Sequence, residues 1–116
     1  MVEFTLVLPI VLIILFGIIQ FGIAFNNYIT LTDAVRAGGR VASVSRFSAT
    51  PVADTSSRVK SASGDLDTTK ETVTVTSDWL QGDPVVVSAT YPYTISLFGV
   101  VVATGNLTSS TTERVE

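Results

Sequence analysis

Residues Phe4 to Phe25, "FTLVLPIVLIILFGIIQFGIAF", form a run of 22 without a charge. Only Thr5 and Gln20 inside it are polar. A bilayer core of about 30 Å needs about 20 apolar residues at 1.5 Å rise each, so this run is long enough to span one. A secretory signal has a basic start and a shorter apolar stretch of about 7–15 residues. This run has neither. Instead the acid Glu3 stands directly in front of it, and no Lys or Arg precedes that acid.

The helix predicted for this run extends past Phe25. In "NNYITLTDAVRAGGRVASVSR", Tyr28, Leu31, Val35 and Ala42 recur at roughly helical spacing, with Asp33, Arg36 and Arg40 on other sides. A continuous helix to about Val44 would be about 65 Å long, about twice a bilayer. Its second half must stand in water or pack on something else. Gly38–Gly39 argues against continuity, since each mid-helix Gly costs about 1 kcal/mol relative to Ala. Pro9 removes a backbone donor and frees the carbonyl of Thr5, so a kink or local loosening is expected there. Membrane helices tolerate this when a neighbour or hydroxyl satisfies the freed group.

Glu3 has two readings. An acid in the first turn interacts favourably with the helix dipole, by about 0.3–1 kcal/mol. Alternatively, in a bundle of like helices, Glu3 of one chain neutralises the Met1 amine of another and sets their axial register, because a buried unpaired charge is expensive. The flanking charges add a topological clue. Arg36, Arg40 and Arg46 follow the run, and the positive-inside tendency then places the C-terminal part in the cytoplasm. If that part is exported, a short basic leader removed from the front resolves the conflict.

"MVEFTLVLPIVLIILFGIIQFG" closely resembles the N-terminus of TadE-like pilins, of the tight-adherence branch of type IV pili. "LTDAVRAGGRVAS", the "YPYT" turn and the Thr-rich end "ERVE" extend the similarity along the chain. The resemblance implies a prepilin in the inner membrane, cut by a prepilin peptidase and extracted by assembly machinery into an extracellular filament of identical subunits. It maps the family's assembly glutamate onto Glu3, at the third position where the fifth mature position is expected. Met1, Glu3 and Pro9 are then the expected assembly residues.

The C-terminal half reads as a small domain. In "SATPVADTSSRVKSASGD", Thr50 is a candidate cap, Pro51 suits the first helical position and Gly64 a stop. Val52, Ser56, Val59 and Ala62 make a thin stripe. "ETVTVTS" alternates, with Val73 and Val75 on one face. "DPVVVSATYPY" puts Val85, Val87, Ala89 and Tyr91 on one face, with Pro92 ending the strand. "GNLTSSTTERVE" is a third strand, with Leu107 and Val115 facing alike. Three strands need a surface to lie against, and the long helix offers one. The expected fold is α+β: a long N-terminal apolar helix, about 1–45, with a short helix and a three-stranded antiparallel sheet packed on its C-terminal half. The expected division is an apolar segment 1–25, an amphipathic continuation 26–46 and an outer domain 47–116. Between strands, Ile95 to Gly105 is apolar but too short to span a bilayer. It reads as a loop or extended segment. Leu97, Phe98, Val100 and Val101 are a candidate subunit interface, with packing on the chain's own core and peripheral membrane contact as alternatives.

Several chemistries are disfavoured. Seven Lys and Arg against ten Asp and Glu leave a net charge of −3 and no basic stripe for nucleic acid. There is no Cys for disulfide or thiolate chemistry and no His, the commonest general base and metal ligand. Asp65, Asp67, Asp78 and Asp83 match no Ca²⁺ loop spacing and read as solvated turn carboxylates. No enzyme activity, cofactor or metal is expected. "NLT" at Asn106 is a glycosylation acceptor only in a eukaryotic context. Gly17 and Gly22, five residues apart, depart from the small-xxx-small helix-contact pattern. The leading expectation is a structural filament subunit for surface attachment. An accessory pilin at a tip or priming complex, and a single-pass membrane-anchored binding module, are the alternatives.

Overall fold

The computed structural model describes residues 1–64, 66–97 and 99–116, so Asp65 and Phe98 lie outside the described residues. Helix α1, Val2–Ser43, runs unbroken through Pro9. The backbone N–H and hydroxyl of Thr5 both donate to the Met1 carbonyl, at 3.1 and 3.0 Å. Thr5 thus tightens the first turn, although its hydroxyl does not reach its own carbonyl, the one that Pro9 frees. At the far end, the Glu116 N–H donates to the Ser43 carbonyl at 2.9 Å. That bond satisfies one of the acceptors a helix end leaves open.

Only the second half of α1 enters the core. Leu31, Ala34, Val35, Gly38, Gly39 and Ala42 are buried, at the three- and four-residue spacing that keeps them on one face. The two glycines are explained by packing. A Cβ on Gly38 would overlap Cγ2 of Val59, and one on Gly39 would lie 2.8 Å from Cγ2 of Thr111. Absent side chains let α1 approach both the second helix and the sheet. This close approach offsets the propensity cost that argued against a continuous helix.

Helix α2, Pro51–Ala62, starts at Thr50 with Pro in its first turn. Thr50 does not cap the backbone with its side chain; its hydroxyl donates to Asp54 at 3.2 Å instead. The stripe also differs from the expected one: Thr55 and Val59 are buried, whereas Val52 is exposed. Thr55 can be buried because its hydroxyl donates to the Pro51 carbonyl at 2.8 Å, so no polar group is stranded. The chain leaves α2 through Gly64, whose φ of +60° suits a residue without Cβ.

Strands β1 (Thr72–Thr76), β2 (Pro84–Leu97) and β3 (Val100–Arg114) form an antiparallel sheet in the order β1-β2-β3. Val85, Val87 and Ala89 are fully buried, with Val73, Val75, Tyr91 and Leu107 packed around them and Val115 beneath. The expected faces are therefore the observed ones. Pro92 does not end its strand: β2 continues five residues further. β1 reaches only to Thr72, opposite Thr90, so at Pro92 the strand has a neighbour on one side alone. A free edge is where a strand tolerates a residue without N–H. The apolar stretch 95–105 accordingly forms the two arms of a β-hairpin, not a loop. A bulge between Ile95 and Ser96 leaves Val102 as the extra residue of β3.

Candidate functional site: an exposed apolar rod

The molecule is 71 Å long and 22 × 19 Å across. The long axis is α1, and the core covers only one end of it. From Met1 to Phe16 every residue is exposed, and exposure continues over most of the turns to Ile29. This helix is long and apolar enough to cross a membrane, and no residue of its most apolar window is buried. Large apolar side chains left uncovered in this number mark an interaction surface or a lipid-facing one.

The expected assembly residues sit on this rod. Met1 and Glu3 occupy its exposed tip, with Glu3 in the first turn of α1, and Pro9 lies two turns further along. Gly17 and Gly22 have open space where a Cβ would be. With Ile14, Ile18, Phe21 and Phe25 they outline a shallow apolar depression. It is a notch that a neighbouring helix or an acyl chain can enter.

A second feature lies where the rod meets the sheet. Phe21, Ala24, Phe25 and Tyr28 of α1 face Tyr93, Ile95, Asn106 and Leu107 across a cleft of about 330 Å³. Beyond it stands the hairpin end. Of the residues expected at an interface, Leu97 is half-buried, and Val100 and Val101 are 64% and 59% exposed. Phe98 falls outside the described residues.

The other acids are placed apart. Among the described residues no group of three or more His, Cys, Asp or Glu could hold a metal ion. Asp67 accepts from the hydroxyl of Thr69 at 2.6 Å and from its N–H at 3.1 Å, and these bonds hold its carboxyl below the ordinary value of 3.8. Glu71 is the unexpected one. It is 5% exposed, and the Ser63 hydroxyl lies 2.9 and 2.8 Å from its two oxygens. The pair ties the end of α2 to the start of β1. Nothing local in the sequence marks it, since Ser63 and Glu71 are joined across a turn. Trp79 is also strained, with φ of 56°, a left-handed conformation that bulky residues rarely adopt. Its N–H donates to the Ser77 hydroxyl at 3.0 Å, which helps to hold the turn.

Comparison with curated proteins and with solved structures finds no match. A family model does match, although the "YPYT" and "ERVE" stretches lie outside it. It covers the exposed rod and most of the helix face beneath the sheet: residues 1–40 fit the model of the TadE-like protein family.

Proposed function

We propose that the chain is a structural subunit of a tight-adherence pilus, built through its N-terminal helix. What carries this reading is the bare half of α1. The chain completes a core of its own and still leaves most of an apolar rod of about 25 residues exposed. Exposing roughly 20 apolar side chains to water costs about 1.5–3 kcal/mol each, so the rod requires lipid or like rods around it. The TadE-like match over residues 1–40 supports the second environment. The subunit waits in the inner membrane and then joins identical copies in an extracellular filament, with its sheet outermost. Lipid tails are as apolar as the bundle, so extraction gains little by itself and requires assembly machinery that does work. A prepilin peptidase prepares the chain for that step.

Glu3 is the residue on which the reading turns. In a bundle it meets the Met1 amine of a neighbour and fixes where sliding stops. Expression of Glu3→Ala in the native cells is expected to leave the chain in the membrane and to remove it from the sheared, high-speed pellet. Filament in normal amounts from that variant would refute the assembly role. If the unaltered chain stayed with the membrane after shearing, the single-pass binding module would replace the filament subunit.

A further inference from the structure

Charge is segregated along the molecule. Glu3 aside, the first charged side chain of α1 is Asp33. In the sheet, Pro84 to Thr112 contains no charged residue. These two charge-free regions lie side by side. Glu116 meets Ser43, Ser109 donates to Thr32 at 3.1 Å, and Leu107 faces Phe21, Phe25 and Tyr28. β3 therefore runs alongside α1, and its earlier residues lie nearer the apolar end. Val100 is seven residues before Leu107, about 20 Å at full strand rise. Ile95, two residues nearer the turn than Tyr93, lines the same cleft as Phe21, so the hairpin continues along the helix toward its apolar end. The hairpin end is thus carried past Phe25, well inside the charge-free run of the helix, which extends from Phe4 to Thr32.

We infer that the hairpin end, Leu97 with Val100 to Val102, dips into the membrane surface of the unassembled subunit as a second lipid contact beside the helix. This rests on the reading of α1 as a membrane span. Three observations select lipid over a second copy of the chain. Val100, Val101 and Val102 are 64, 59 and 56% exposed in succession. Val100 and Val101, ahead of the bulge, point to opposite faces, so the end presents apolar side chains on both. A protein partner covers one face, whereas a bilayer covers all. The cleft behind the hairpin is lined by Tyr28 and Tyr93 beside Phe21 and Phe25. Amphipathic rings of this kind settle at the headgroup level. Finally, the uncharged stretch is continuous with the apolar helix rather than an isolated patch. The sheet edges set the depth. Beyond Thr90 the outer side of β2 is unpaired, as is the outer side of β3, and open edges are not tolerated in hydrocarbon. Only the turn end passes the headgroups, and the remainder stays hydrated.

The chain has no cysteine, so single labels are straightforward. Full-length Val101→Cys, carrying an environment-sensitive fluorophore, is reconstituted in phosphatidylethanolamine–phosphatidylglycerol vesicles at high lipid-to-protein ratio. Lipids with a quencher shallow on the acyl chain are expected to remove most of its emission. The same label on exposed Ser110→Cys is expected to keep its emission, and on Ile13→Cys to lose it. Val100→Cys repeats the measurement, and Trp79 emission reports that each variant is folded. Quenching at Ile13 without quenching at Val101 or Val100 overturns the inference and leaves the span standing. No quenching at any position overturns the span and the inference with it. A blue shift at Val101 that appears only at high protein density, without quenching by lipid, assigns the hairpin to a second copy and equally overturns the inference.

Discussion

Gly38 offers a direct measure of how closely α1 and α2 are pressed together. In Gly38→Ala the new methyl overlaps Cγ2 of Val59, a fully buried side chain. Overpacking of this kind costs about 1–3 kcal/mol. The better helix propensity of Ala returns about 1 kcal/mol, so the single variant is expected to be destabilised by up to about 2 kcal/mol. Val59→Ala removes the obstructing methyl groups. The methyl introduced at position 38 would then meet Cβ of residue 59 at 3.6 Å and the Thr55 carbonyl at 3.5 Å, both ordinary contacts. In that background Gly38→Ala should stabilise by about 1 kcal/mol. The sign of the substitution reverses, and the coupling between the two sites is about 1–3 kcal/mol. Val59→Ala alone loses about 0.8 kcal/mol per methyl, plus a cavity term. That loss leaves a typical domain folded. The assay is denaturant unfolding of the full chain in detergent micelles, read by the single Trp79, which packs against the core. If Gly38→Ala stabilised equally in both backgrounds, the close approach of α1 to α2 would be refuted.

Periodic features of this fold were legible in the sequence, and pairwise ones were not. Leu31, Val35 and Ala42 announce a buried helix face, and Val85, Val87 and Ala89 a buried strand face, because burial repeats with the backbone geometry. Pro92 misleads because a proline ends a strand only where its N–H would be needed. That depends on where β1 stops, a long-range fact. Val52 and Thr55 exchange roles for a similar reason. Hydrophobicity favours Val52, but the face of α2 that meets Gly38 carries Thr55, whose hydroxyl is satisfied within its own helix. The Gly38–Gly39 cost was visible, whereas the compensating contacts required the positions of Val59 and Thr111. At the candidate site, the bare rod was plain from its length and missing charges. The roles given to Met1 and Glu3 belong to contacts between chains, and such contacts leave no mark on the packing of one chain. The hairpin end was legible as apolar, but its two-sided exposure came only with the strand register.

Two further predictions concern the acids of the C-terminal half. Ser63→Ala removes the hydroxyl that lies between the Val59 carbonyl and both oxygens of the buried Glu71, and leaving a buried polar group without its partner costs about 1–3 kcal/mol. Unfolding monitored at Trp79 should show a loss of this size, largely restored in Ser63→Thr; a change below about 0.5 kcal/mol would mean that Glu71 is solvated by another route. Asp67 gives a pH signature. The Thr69 hydroxyl and N–H hold its carboxyl below 3.8, so the folded chain binds this proton less readily than the unfolded chain. Stability from this turn is therefore present above 3.8 and falls away as the pH drops through the lower folded value. Asp67→Asn should flatten that acid limb of the stability profile and leave its slope near neutrality unchanged. The carboxylate is wholly exposed, so the effect is small and is sought as a difference in slope between the two proteins. An acid limb identical in both would show that the Thr69 bonds do not persist in solution, and would assign the acid sensitivity of the domain to other carboxylates.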